Sequence, residues 1–111
     1  MRTDADLAGA FKDGDDRAFT ILYDRHKRSL FAFALRMLNE ADAANDLVQE
    51  VFVRVYEKRR QLDYPERFRS WIFAIARNRC LSHLRQSRRR VPLDEAPDEA
   101  ITVEASADGI E

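Results

Sequence analysis

Apolar residues recur at steps of three and four along three long segments of this chain, and this spacing constrains the fold more than any other feature. The repeat covers residues 16–38 and 41–59, and it continues beside a dense set of arginines in residues 67–89. Such spacing places the apolar side chains on one side of an α-helix, where neighbouring helices can bury them. The chain has only three glycines and three prolines, which favours long helices over many short strands joined by turns.

Polar residues and glycine between the periodic segments predict where the first two helices begin and end. A short helix is expected over residues 4–13, because Asp4 can cap its free amide groups and Gly14 can end it. The aspartates that follow Gly14 cap the second helix in the same way. Its apolar repeat extends this helix to about residue 38.

The third helix is predicted over residues 41–59. Its segment VFVRVY could form a strand on β-propensity alone, but the spacing of three and four continues through it. Pro65 disfavours helical geometry at the residue before it, so residues 59–68 are predicted to form a loop. The fourth helix follows this loop and runs to about Arg89.

These helices are expected to form a compact all-α bundle of one short and three longer helices. Residues 1–92 form the single predicted domain. Residues 93–111 contain seven acidic residues and no basic residue, so they are predicted to be a flexible acidic linker or tail. Most of the core is expected to come from Phe19, Tyr23, Phe33, Phe52, Phe68 and Trp71.

Charge is distributed unevenly along the chain. The net charge is −1, but the acidic tail leaves 19 basic and 13 acidic residues in residues 1–92, a net charge of +6. Residues 67–90 contain eight arginines and no acid. A cationic segment of this density indicates a polyanionic partner such as nucleic acid, and a solvated arginine-rich face is the alternative.

The fourth helix separates its apolar and polar residues onto different sides. At about 100° per residue, its predicted core stripe is Phe68, Ile72, Ile75, Ala76 and Cys80. The far side and the row beside it present Arg77, Asn78, Ser82, Arg85, Arg88 and Arg89. Guanidinium groups bind phosphates and base edges, and an asparagine amide can bind the edge of adenine.

Aromatic and polar residues at the start of this helix suggest a place for an unpaired base. Trp71 lies at the border of the apolar stripe, where it can pack against the core or stack on a base. Gln61, Asp63 and Tyr64 lie in the preceding loop, which could hold a base that has left the duplex. A simple connecting loop is the alternative.

Several other functions are disfavoured by the sequence. Cys80 is the single cysteine, which predicts no disulfide framework and is typical of the cytoplasm. No apolar run approaches the ~20 residues that span a membrane, and the first residues lack a signal-peptide core. Cys80 and His83 are too few for a zinc site. Since no nucleophile–base pair is recognisable, we expect no enzyme, no cofactor and no metal.

Three segments in order carry a family resemblance. They are AFTILYDRHKRSLFAFALRML, ANDLVQEVFVRVYEK and FRSWIFAIARNRCLSHLRQSRRR. Together they resemble region 2 of the extracytoplasmic-function (ECF) sigma factors, the promoter-opening subunits of bacterial RNA polymerase. The resemblance covers about residues 5–92, and it implies the four-helix bundle of sigma region 2. His26 departs from the tyrosine that is frequent there, and is expected to be a satisfied histidine at the edge of the core.

The resemblance implies two binding surfaces. In the family, the third helix docks on the clamp coiled coil of the largest polymerase subunit, which implies polymerase-binding roles for Asp46, Gln49, Glu50, Val53 and Arg54. The loop and the fourth helix engage the non-template strand of the −10 promoter element, with one base flipped into the loop. The implied DNA-binding residues are Gln61, Asp63, Tyr64, Trp71, Arg77, Asn78, Arg79 and Arg85, and the arginine row extends them to Arg88 and Arg89.

Two other hypotheses remain open at this point. The bundle could be a protein-interaction module, bound by polymerase or an anti-sigma factor without useful DNA affinity of its own. Exposure of Val53 and Phe73 would favour that hypothesis. A general double-strand-binding regulator ranks below both, because no compact helix-turn-helix pair with a glycine turn is visible. Full-length members of the family continue into a helix-turn-helix region, and the present sequence ends in its acidic segment.

Overall fold

The protein is a bundle of four α-helices. The structure, a computed structural model, describes residues 2–90 and the side chains of residues 2–87. Helices α1 (Asp4–Lys12), α2 (Asp16–Leu38), α3 (Ala41–Glu57) and α4 (Phe68–Arg90) follow one another along the chain. Within residues 2–90 there is no β-strand, which confirms the predicted all-α bundle. The predicted acidic tail, residues 93–111, lies outside the described residues.

Side chains cap the starts of the first three helices. Thr3 caps α1, not the predicted Asp4: its hydroxyl accepts the Asp6 amide at 3.0 Å, and the Asp6 carboxylate accepts the Thr3 amide at 3.2 Å. This reciprocal pair satisfies two amide groups, whereas Asp4 lies inside the helix. Asp15 caps α2 as predicted. The Glu40 carboxylate caps α3 by accepting an amide of its first turn at 2.7 Å.

The breaks between helices use residues that tolerate unusual backbone angles. Gly14, between α1 and α2, has a φ of 107°, where a side chain would be strained. Asn39 ends α2 in the left-handed conformation with a φ of 57°, which asparagine adopts more readily than most residues. The segment VFVRVY is helical in α3, so its apolar spacing prevailed over its β-propensity.

The loop between α3 and α4 is more ordered than a simple connector. It contains two 3₁₀ turns, Arg59–Gln61 and Pro65–Arg67. Leu62, between these turns, is only 2% exposed and is part of the main core. The second turn carries the chain directly into α4, which begins at Phe68.

The core differs from the prediction in which aromatic residues it buries. Phe68 and Phe52 are buried as expected, but Phe11 of the short helix α1 is also fully buried. Four predicted core aromatics are only partly buried against the cluster: Phe19, Tyr23, Phe33 and Trp71. These side chains lie where helices meet at the surface. How much of each is buried therefore depends more on the neighbouring helix than on its position in the apolar repeat of its own helix.

Helices α2 and α4 lie side by side. The ring of His26 on α2 is 5.6 Å from the Phe68 ring, and the Phe33 ring meets the Phe73 ring edge-on at 5.5 Å. Contacts therefore advance in the same direction along both helices, which run roughly parallel. His26 is 5% exposed, and its Nε2 lies 2.8 Å from a carboxylate oxygen of Asp4, as expected for a satisfied histidine at the core.

Candidate nucleic-acid and protein-binding sites

The loop before α4 forms a pocket. Its volume is about 360 Å³, within the range of small-ligand sites. It is lined by Gln61, Leu62, Asp63, Tyr64, Arg67, Ser70 and Trp71. The structure therefore brings together four residues that the sequence singled out for DNA: Gln61, Asp63, Tyr64 and Trp71.

Three lining residues of this loop pocket, Leu62, Arg67 and Ser70, were not predicted from the sequence. The guanidinium of Arg67 lies over the Tyr64 ring, 5.0 Å from its centroid. The Ser70 hydroxyl donates to the Arg67 carbonyl at 3.2 Å. Tyr64 is 56% exposed, so the pocket offers an accessible ring beside a cation. The sequence indicated Arg67 only through its position in the loop, because Arg67 ends the 3₁₀ turn that Pro65 starts.

A line of side chains extends along α4 from this pocket. Trp71, Asn78 and Arg85 are seven residues apart, so they lie on one line at intervals of about 10 Å. Asn78 and Arg85 are exposed, and Trp71 is half-buried. We call these three residues the α4 line. Along one accessible side of the helix, this line presents the Trp71 ring at the pocket, then the Asn78 amide, then the Arg85 guanidinium.

The other predicted arginines of α4 take different directions. Arg77 is half-buried and lies one helical turn beyond Phe73, which packs against Phe33 of α2. Arg79 forms an ion pair with Glu50 of α3, and the Arg79 side chain is 28% exposed. The structure thus joins a residue predicted to bind DNA to one predicted to bind polymerase. The side chains of Arg88 and Arg89 lie outside the described residues.

The predicted polymerase-binding residues share the outer side of α3. Asp46, Gln49 and Val53 are exposed, and Val53 reaches 56% exposure. Glu50 and Arg54 are half-buried and lie 3.9 Å apart as an ion pair. We call the five residues Asp46, Gln49, Glu50, Val53 and Arg54 the α3 face.

An open groove between α2 and α3 continues the α3 face. Its volume is about 480 Å³. Its lining is Phe19, Thr20, Tyr23, Gln49, Phe52, Val53, Tyr56 and Glu57. The Gln49 amide donates to the Tyr23 hydroxyl at 2.9 Å, and the Tyr56 hydroxyl donates to Asp16 at 3.1 Å. This groove was not predicted from the sequence, because three of its four aromatic residues, Phe19, Tyr23 and Phe52, were assigned to the core.

Cys80 lies on the inner stripe of α4. It is fully buried, and desolvation raises the pKa of its thiol from 9.0 to about 12. A thiol that stays protonated is a poor metal ligand. Among residues 2–90 there is no cluster of three or more side chains suited to holding a metal ion.

Comparison with known proteins identifies the family. The sequence model of the sigma-70 region 2 family matches residues 22–90, which span most of α2 and all of α3 and α4. The chain belongs to this family. The match confirms the sigma region 2 resemblance that the sequence predicted.

Relatives of this sigma region 2 chain include ECF sigma factors. It is 31% identical over 103 residues to the ECF RNA polymerase sigma factor SigW of Bacillus subtilis, covering 89% of this chain and 55% of SigW. It is 32% identical over 98 residues to the RNA polymerase sigma factor CarQ of Myxococcus xanthus, covering 88% and 56%. It is 29% identical over 89 residues to the RNA polymerase sigma-H factor of Pseudomonas aeruginosa, and the match covers 80% of this chain and 46% of that factor.

The chain spans about half the length of these curated relatives. No solved structure matches it. None of the helices in the described part of the chain is both long enough and apolar enough to cross a membrane.

Proposed function

We propose that this chain is the part of a sigma factor that binds core RNA polymerase and captures the non-template strand of the −10 promoter element during transcription initiation. The membership of the sigma-70 region 2 family supports this proposal. Two surfaces on different helices supply the two activities: the α3 face with its groove for polymerase, and the loop pocket with the α4 line for DNA.

The observation that carries the DNA proposal is that Trp71 belongs to both the loop pocket and the α4 line. A base that leaves the duplex could enter the pocket, with the strand continuing past Asn78 toward Arg85. Opening a duplex needs no nucleophile or general base, so we assign no catalytic reaction. The binding of unpaired bases offsets the cost of unpairing and unstacking them, and arginines hold the phosphates.

The polymerase proposal rests on the groove beside the α3 face. Apolar walls with polar groups at the edge are typical of protein interfaces, and an open groove of this kind accepts the apolar side of a helix. Val53 and Gln49 belong to both the groove and the predicted interface. The partner that the family resemblance implies, the clamp coiled coil of the largest polymerase subunit, is helical.

Fluorescence anisotropy with single-stranded oligonucleotides of different sequence tests the DNA proposal, with and without core RNA polymerase. The chain should prefer one sequence class, and Asn78→Ala should reduce that preference because an amide that contacts base edges is lost. Arg85→Ala should weaken binding to all sequences and reduce the salt dependence. Equal affinity for every sequence, unchanged by Asn78→Ala, would refute base recognition.

A second function is favoured by the exposure of Val53, which is 56%. The bundle could serve as a protein-interaction module, held by polymerase or by an anti-sigma factor that competes for the same groove. Phe73 does not add to that exposure, since it is only half-exposed and packs against Phe33. Stable binding to core polymerase, with no oligonucleotide affinity in either its presence or its absence, would select this alternative.

A further inference from the structure

His26 on α2 holds an unusual place in the core. Among the side chains that the structure describes, it is the only polar or charged one that is buried, the thiol of Cys80 aside. Its Nε2 lies 2.8 Å from a carboxylate oxygen of Asp4 in α1, and its Nδ1 lies 3.4 Å from the guanidinium of Arg69 in α4. A buried polar ring with partners on both nitrogens is costly to disturb. His26 therefore ties the first turns of α1 and α4 to α2.

These two contacts require a neutral ring. Arginine can only donate hydrogen bonds, so Nδ1 of His26 accepts from Arg69 and the ring proton lies on Nε2, toward Asp4. A second proton would place an N–H group on Nδ1 against the guanidinium, so that two cations would meet with no acceptor between them. Asp4 attracts that proton, but its carboxylate is shared with Arg25 at 3.1 Å. The charged groups around His26 are thus Asp4 from α1, Arg25 from its own helix and Arg69 from α4.

The His26 contacts lie directly behind the loop pocket. The His26 ring is 5.6 Å from the Phe68 ring, and the Phe68 ring is 6.2 Å from the ring of Trp71, which lines the pocket. The 3₁₀ turn that leads into α4 packs on α1, because a side-chain carbon added to Gly9 would lie 4.0 Å from the ring of Pro65. The pocket therefore rests on the two helices that His26 joins.

We propose that His26 is a positioning residue for the loop pocket, and that protonation of its ring releases Arg69 and loosens the start of α4. Histidine is the side chain that ordinarily changes charge between about pH 5 and pH 8. Arg69 is exposed, so its guanidinium can turn into water when the ring becomes a cation. The Phe68 and Trp71 rings then lose part of their support, and the pocket holds an unpaired base less well. Only this last step rests on the proposed function.

The fluorescence of Trp71, the single tryptophan of the chain, reports on the pocket wall without any DNA. Emission of the full 111-residue chain is recorded between about pH 5.5 and pH 8. The unmodified chain should show a transition in this range, with its emission shifted to longer wavelength at the acid end, where Trp71 is more exposed to water. Its affinity for a single-stranded oligonucleotide, measured by anisotropy relative to His26→Gln at each pH, should fall about fivefold toward the acid end.

Three variants assign the transition to a residue. His26→Gln should abolish it, because a glutamine amide can donate to Asp4 and accept from Arg69 at every pH. Arg69→Gln should weaken it, since a neutral amide can turn to accept from the protonated ring. His83→Gln is the matched control: it removes the second of the two histidines, which is exposed on α4, and should leave the transition unchanged. Circular dichroism verifies the helix content of each variant.

The outcomes separate this inference from the proposed function. No Trp71 transition in the unmodified chain, or the same transition in His26→Gln, would overturn the inference. If His26→Gln did not fold, an unchanged transition in Arg69→Gln would overturn it instead. A Trp71 transition with an oligonucleotide affinity that does not depend on pH would overturn the positioning role. If Trp71 responded as expected but no oligonucleotide bound at any pH, the proposed base capture would fail and the movement of the pocket would stand.

Discussion

Helices α3 and α4 bury comparable apolar stripes, but their outer sides differ in charge. Helix α3 contains four acids and one arginine, whereas α4 contains seven arginines and no acid. The groove beside α3 is lined largely by aromatic and aliphatic side chains, and the loop pocket beside α4 is lined largely by polar ones. The inner stripe sets how each helix packs, so the outer residues can suit different partners: an apolar protein surface for α3 and an anionic strand for α4.

The two outer sides are not independent everywhere. The ion pair between Glu50 and Arg79 joins them where α3 meets α4. Substitutions away from this pair should therefore change either polymerase binding or DNA binding, but not both. Substitutions at the pair, which involves both helices, should have only a small effect.

The largest separable effect is expected at Val53, in the groove. Val53→Glu places a charge where an apolar partner surface would bury it, which costs far more than the lost valine contacts. Binding to core polymerase should fall about a hundredfold, and oligonucleotide affinity of the chain alone should stay unchanged. Surface-immobilised polymerase and anisotropy measure the two affinities.

Val53→Ile is the matched control for this change and should bind polymerase normally. If Val53→Glu bound polymerase as well as the unmodified chain, the α3 face would not be the docking surface.

The reverse separation is expected at Trp71, in the loop pocket. Trp71→Ala removes an aromatic wall, and base stacking on such a wall contributes about 1–3 kcal/mol. Oligonucleotide affinity should therefore fall about tenfold, with polymerase binding retained. Trp71→Phe keeps a ring and should recover much of the affinity. Equal loss from both substitutions would point to packing against Phe68, whose ring centroid lies 6.2 Å away.

The inner stripe of α4 makes a prediction about alkaline pH. Burial raises the pKa of the Cys80 thiol to about 12, above its value in the unfolded chain. Its contribution to stability is therefore complete below about pH 9 and is lost as pH rises toward 12. Relative to Cys80→Ala, the free energy of unfolding should fall by about 1.4 kcal/mol per pH unit in that range.

Urea unfolding of both proteins between about pH 8 and pH 10.5 measures this difference, because other titrating groups are common to the pair. If the difference in unfolding free energy between the two proteins stayed constant across this pH range, the folded protein would tolerate the thiolate. Helix α4 would then open more readily than the burial of Cys80 indicates.

The smallest effect is expected where the two surfaces meet. The side chains of Arg79 and Glu50 are 28% and 41% exposed, so water and salt screen their attraction. A double-mutant cycle with Glu50→Gln and Arg79→Gln should give a coupling of about 0.5 kcal/mol in unfolding free energy, smaller at high salt. Thermal or urea unfolding of the four proteins measures it. A coupling above about 2 kcal/mol would make this pair a main support of the α3–α4 contact.

Several features of the loop pocket were predictable before any coordinates. Gln61, Asp63, Tyr64 and Trp71 lie within eleven consecutive residues around Pro65, and a turn that enters a helix necessarily brings such neighbours close. Asn78 and Arg85 follow from helix geometry alone, because seven residues make almost two full turns. The aromatic groove was not predictable in this way, since its walls come from α2 and α3.

The sequence by itself determined the helices and their inner stripes, because apolar spacing, caps and the angles of Gly14 and Asn39 act over a few residues. Tertiary structure alone decided the direction of residues at the edges of those stripes. Arg79 turns to Glu50, 29 positions earlier, and His26 meets both Asp4 and Arg69. Such residues respond to whichever helix packs beside them, and the local sequence does not contain that neighbour.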